Sequence, residues 1–96
     1  MKYDVIVVGC GPAGIFTALE LVLHGGVEVV MFDKGLDVDR RHCPANRGLG
    51  CVRCNPCNLL NGWGGSGAFS DGKLTLSPEV GGWLSEYVGE AEVAKL

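Results

Sequence analysis

Apolar residues concentrate in two blocks near the N-terminus and thin out after residue 36. Val5-Ile6-Val7-Val8 follows Tyr3-Asp4 with no polar alternation. Four aliphatic residues in a row form the pattern of a strand buried on both faces of a parallel sheet. Gly9 ends that strand. From Pro12 to His24 the polar residues are Thr17, Glu20 and His24, at spacings of three and four. This predicts a helix over 12–24 with one narrow polar stripe, buried on most of its surface. Pro12 suits the first turn, and Gly25-Gly26 ends the helix. Ala18, one turn after Gly14, continues a small face toward the strand. His24 near the C-terminus makes a favourable contact with the helix dipole. A second apolar block over residues 27–32, with Glu28 at its entry, predicts a second strand. The first 35 residues therefore read as a βαβ unit.

The turn between the first strand and the helix carries G-x-G-x-x-G as Gly9, Gly11 and Gly14. In a dinucleotide-binding turn the first glycine allows the sharp bend. The second lets a pyrophosphate approach the backbone, and the third lets helix and strand pack closely. Pro12, Ala13 and Gly14 begin the helix, whose N-terminus turns free N–H groups and a partial positive charge toward phosphates. The second strand runs into Asp33, 19 residues after Gly14. An acidic residue about 20 residues on accepts hydrogen bonds from an adenosine ribose. Lys34 stands within reach of an adenosine phosphate, or else is simply a solvated lysine. The competing reading is a βαβ unit without a ligand, in which Asp33 only caps the next turn.

Residues 36–61 lose all helical and strand periodicity. Asp37, Asp39, Arg40, Arg41, Asn46, Arg47 and Arg53 mix charge and polarity. Four cysteines, Cys43, Cys51, Cys54 and Cys57, follow the spacing C-x7-C-x2-C-x2-C. Two overlapping C-x2-C pairs are the spacing that zinc and iron–sulfur sites use. Cys43-Pro44 comes first here, whereas the bacterial ferredoxin order places Cys-Pro last. The alternatives are a four-thiolate metal or cluster site, a redox-active pair, or plain loop thiols of a reducing compartment.

Residues 62–76 form a second glycine-rich segment, too aromatic for a flexible linker. It lets backbone pass close to a flat ligand or a diphosphate, or it only accommodates tight packing. A short strand is predicted at 73–76. Ser77 as N-cap and Pro78 at the first position then predict a C-terminal helical region over 77–96. Trp83, Leu84, Tyr87 and Val88 make an amphipathic stripe there that reads as core. Helical pattern resumes at Glu90.

At 96 residues the chain is one domain at most. A dinucleotide-binding domain commonly has about four to six parallel strands, so the sheet is expected to be incomplete and the sequence to be the N-terminal part of a larger protein. Eight basic and eleven acidic residues give a net charge of −3, which argues against a nucleic-acid partner. Asp4 and the Gly-Pro turn interrupt any signal-peptide pattern, and no apolar stretch is long enough for a membrane span. A cytoplasmic location is expected.

The stretch from Asp4 to Gly14 and on through Asp33-Lys34-Gly35 resembles FAD-binding flavoproteins generally. Cys43-Pro44, then Gly50-Cys51-x-x-Cys54-x-Pro56-Cys57, then residues 64–74 resemble a narrower group. That group is the uncharacterised FAD-dependent oxidoreductases related to the glutathione-reductase type. The resemblance implies a Rossmann-like dinucleotide-binding fold and non-covalent FAD. It implies that Gly9, Gly11 and Gly14 cradle the pyrophosphate and that Asp33 holds the adenosine ribose, with Lys34 and Arg41 nearby. Residues 64–70, including Gly64, Gly65, Ser66, Gly67 and Ser70, then line the pyrophosphate or flavin side. Many flavoproteins carry Glu where this chain has Asp33, which reaches less far. The expected function is an FAD-dependent dehydrogenase acting on a small-molecule substrate, with NAD(P)H as a co-substrate. Two other classes stand beside it: an NAD(P)-binding dehydrogenase domain, and a metal or iron–sulfur redox module built on the cysteine loop. No residue is assigned a catalytic role.

Overall fold

Residues 5–8 and 29–32 are rich in Val, Ile, Met and Phe, residues that favour extended backbone. In the computed structural model, which describes residues 2–72 and 82–95, they form β1 (Val5–Val8) and β2 (Val29–Phe32). The two strands pair in parallel, with Val5 opposite Val29 and Val8 opposite Phe32. Helix α1 (Pro12–His24) connects them, as a parallel pair requires a crossover. Its C-terminus closes at Gly25, whose N–H donates to the Leu21 and Val22 carbonyls. Glu20 and His24 lie 3.7 Å apart on its exposed face.

The second strand begins two residues later than its apolar block. The Asp4 and Val5 amides both donate to the Glu28 carbonyl, while the Glu28 amide donates to the Asp4 carboxylate. These bonds fasten the strand entry without extending the ladder through Val27 and Glu28.

Burial differs from the pattern expected for β1 and α1. Val5 and Val7 turn toward α1 and are half-buried, whereas Ile6 and Val8 are 63% and 83% exposed. Of α1, only Ala18 is buried among the described residues. Phe16, Leu19, Val22 and Leu23 are exposed. The reason is geometric: one helix covers one face of a two-stranded sheet, and nothing in the described residues covers the other face or the outer side of the helix.

Past β2 the chain turns through short 3-10 helices at Val38–Arg40, Pro44–Arg47 and Gly65–Phe69, and is otherwise irregular, as the loss of periodicity predicts. The Asp37 side chain caps the first of these by accepting the Val38 amide. Two short helices follow, α2 (Leu84–Val88) and α3 (Glu90–Lys95). Trp83, Leu84, Tyr87 and Val88 are all exposed, so the stripe read as core is uncovered among the described residues. The strand predicted at 73–76 and the helix start at Ser77-Pro78 lie outside the described residues. The result is a small α/β structure with a two-stranded parallel sheet, consistent with an incomplete dinucleotide-binding unit. No helix among the described residues is long and apolar enough to cross a membrane.

Candidate functional site

β1 delivers the chain to the glycine turn at its C-terminal end. Gly9 has φ of 102°, and its amide donates to the Phe32 carbonyl at 2.7 Å, holding the turn beside the end of β2. Gly11 is the N-cap of α1, in extended conformation and without a side-chain cap. Ile15 is the first amide to bond back, to the Gly11 carbonyl. Pro12 has no N–H, so Ala13 and Gly14 carry the orphan amides of the first turn. The three glycines divide by surroundings. A side chain at Gly14 would run into the Gly9 carbonyl and meet Val7, which makes Gly14 a packing glycine. A side chain at Gly11 would point into open space, so bareness there leaves the backbone accessible and is unnecessary for packing.

Asp33 closes the other side. Its carboxylate accepts the Cys10 amide at 2.7 Å and the Gly35 amide at 2.8 Å. These two bonds, chiefly the Cys10 one, hold its pKa below the ordinary carboxylate value. The Gly62 amide and the Arg41 charge add to the effect, while burial opposes it. A carboxylate has about four acceptor directions, so the Cys10 and Gly35 amides leave room for further donors. Asp33 thus caps the next turn through Gly35, as the competing reading has it, braces the glycine turn through Cys10, and still lines an open cavity of about 430 Å³ with Val8, Gly9, Phe32, Lys34 and Asn61. That cavity lies at the carboxyl ends of both strands, where open α/β sheets bind ligands. Next to it the Cys10 thiol is buried. Burial pushes its pKa up, and the Asp33 charge adds to the rise.

The second glycine-rich segment docks on the first. The Gly64 amide donates to the Cys10 carbonyl at 2.8 Å, and the Trp63 amide donates to the Leu36 carbonyl. Gly65 sits so close to Gly11 and Pro12 that a side chain there would come within 3.0 Å of the Gly11 Cα. Gly67 faces the Pro12 ring. Gly35 presses on the Asn61–Gly62 peptide with no room for a side chain. Ser66 and Ser70 are exposed, and the Ser70 hydroxyl accepts the Gly72 amide. The structure therefore brings residues 64–67 to the glycine turn.

Arg41 is buried, 2% exposed, and its guanidinium is spent on main-chain carbonyls. Nε donates to Asn58, Nη1 to Trp63, and Nη2 to both Leu59 and Gly65, at 2.7–2.9 Å. Its carbon lies 4.8 Å from the centre of the Phe69 ring. Its charge reaches the Asp33 carboxylate, in keeping with the expectation that it lies near Asp33, but four of its five donors are already occupied under the loop, so it holds main chain rather than offering those donors to a cofactor. No sequence signal marks this role, nor that of Asn61 in the cavity, since both depend on how 58–65 folds back.

Of the alternatives for the cysteine loop, the four-thiolate metal site finds no support in the geometry of the described residues. Cys43, Cys51, Cys54 and Cys57 are all free thiols. Among the described residues no three His, Cys, Asp or Glu side chains gather as a metal ion needs. Cys51 is exposed and its sulfur accepts the Arg53 amide, while Cys54 and Cys57 are half-buried. The spacing brings three thiols close in sequence, but the irregular backbone turns them to different surroundings. Iron–sulfur and zinc therefore have no support in this structure.

Comparison with known proteins agrees with the geometry of the turn. The profile of the FAD binding domain family matches residues 2–51, and the chain belongs to that family. An uncharacterized protein of Clostridium beijerinckii is 46% identical over 76 residues, which is 78% of this chain and 14% of that protein. The chain thus spans about a seventh of the length of the relative it matches. No solved structure matches the chain.

Proposed function

We propose that this chain supplies the ADP and pyrophosphate-binding part of the FAD site of an oxidoreductase of Rossmann type, related to the glutathione-reductase-like flavoproteins. One observation carries the reading. Two glycine-rich segments meet at the carboxyl end of a parallel β pair, with Gly11 bare to open space beside the orphan amides of α1. A diphosphate fits that cradle. It needs close backbone approach and N–H donors, and the first turn of a helix offers both. Ala13 and Gly14 donate to the pyrophosphate, while Asp33 and Lys34 stand at the adenosine end of the cavity. Residues 64–67 form its second wall. The flavin itself supplies hydride or electron transfer. This chain's residues bind and orient it.

The family match to an FAD binding domain, together with the second glycine-rich segment, favours FAD over a nicotinamide in this site. The substrate is a small molecule delivered to the flavin by parts of the protein beyond these residues. The test is the visible spectrum of the longest natural polypeptide carrying this sequence, purified without oxygen. Flavin bands, with FAD released on denaturation, are the expected result. A colourless protein that takes up NAD and no FAD overturns the reading.

A further inference from the structure

Arg41 is the one buried charged side chain among the described residues, and burying a guanidinium is costly unless its donors are met. Here they are met by the carbonyls of Asn58, Leu59, Trp63 and Gly65, with the Phe69 ring against the guanidinium. Two of those carbonyls belong to the segment that rests on the cofactor turn. Gly65 lies against Gly11 and Pro12, and the Gly64 amide is bonded to the Cys10 carbonyl. The fork therefore joins two successive stretches, 58–59 and 63–65, and sets how the second is presented to the turn.

We propose that Arg41 is a positioning residue of the FAD site. Through the Trp63 and Gly65 carbonyls it holds the second glycine-rich segment on the Gly11–Pro12 turn, and FAD affinity depends on its planar fork rather than on its charge. The inference rests on the FAD reading above. Lysine keeps the charge, but its three donors sit on one point and cannot span four separated carbonyls. A residue that merely contacted a phosphate would tolerate lysine. A clamp does not.

The experiment uses the longest natural polypeptide carrying this sequence, as wild type, Arg41→Lys and Arg41→Gln, stripped of flavin. FAD is titrated by flavin fluorescence, and amide hydrogen exchange is followed without flavin. Both variants are expected to bind FAD about tenfold or more weakly. Exchange across 58–65 is expected to quicken by about tenfold or more, with β1 and β2 unchanged. Arg41→Lys binding FAD like wild type overturns the proposal, and so does unchanged exchange across 58–65. If both variants fail to fold, Phe69→Leu carries the test, since it removes the ring that holds the guanidinium flat under the four carbonyls and so loosens the fork. Faster exchange across 58–65 then supports the clamp, and unchanged exchange overturns it. A wild type that takes up no FAD overturns the FAD reading and this proposal with it, whereas the exchange arm still reports on the fork.

Discussion

The Asp33 carboxylate accepts the Cys10 amide at 2.7 Å across 23 residues of sequence. This bond fastens the end of β2 to the middle of the glycine turn, so the residue at the ribose position also shapes the turn that meets the phosphates. Its pKa is lowered by amide donors. A carboxylate lowered in the folded state contributes stability that is fully present above its unfolded value, near about 3.9. That stability is lost as the pH falls through the lower folded value. Acid unfolding followed by circular dichroism should show this loss below about pH 4 in the wild type. In Asp33→Asn the step should be absent, and the protein should be less stable at pH 7 by about 1–3 kcal/mol, because an amide NH2 then faces a backbone N–H.

The glycines of the turn should separate into two kinds. Gly14→Ala drives a methyl into the Gly9 carbonyl and should cost about 3 kcal/mol of stability in urea unfolding. Gly11→Ala meets open space in a backbone conformation any residue adopts. Its stability should stay within about 0.5 kcal/mol of wild type, while FAD affinity falls about tenfold or more. Equal stability losses in the two variants would show that Gly11 is a packing glycine.

Gly35 presses on the Asn61–Gly62 peptide, so Gly35→Ala should push the second glycine-rich segment away from the turn. The expected cost is about 1–3 kcal/mol, with faster hydrogen exchange confined to 61–65. An exchange pattern identical to wild type would mean that this contact yields without consequence.

The five thiols should alkylate in a definite order. Cys51 is exposed, whereas Cys10 is buried, with its pKa raised by burial and by the Asp33 charge. Reactivity follows thiolate fraction and access, so iodoacetamide at pH 8 should label Cys51 first and Cys10 last, read by peptide mass spectrometry. Early labelling of Cys10 would contradict its placement under the turn.

How much of this was legible depended on the range of the interactions. α1 runs from Pro12 to His24, the boundaries set by a proline, a polar stripe and a glycine pair that act within one or two turns. β1 and the end of β2 were equally local. The start of β2 was missed because the Asp4–Glu28 bonds that fasten it lie 24 residues apart. The burial of Arg41 is unmarked in the sequence for the same kind of reason. Its partners at 58–65 reach it only after the loop folds back, and an arginine in a polar stretch carries no mark of burial. The cysteine spacing leaves its alternatives open because it records nearness along the chain and says nothing about where each sulfur faces. The exposure of Ile6 and Val8 carries no sequence mark, because an unbroken aliphatic run shows which faces are apolar, not which are covered.

The Arg41 fork grips only main-chain oxygen, and every residue type has one. Among descendants of this sequence, the identities of residues 58, 59 and 63 are therefore free to drift without loosening the grip. An insertion or deletion between 58 and 65 would move all four oxygens out of register at once. Variation in that stretch should be written in the alphabet of the side chains and never in its length.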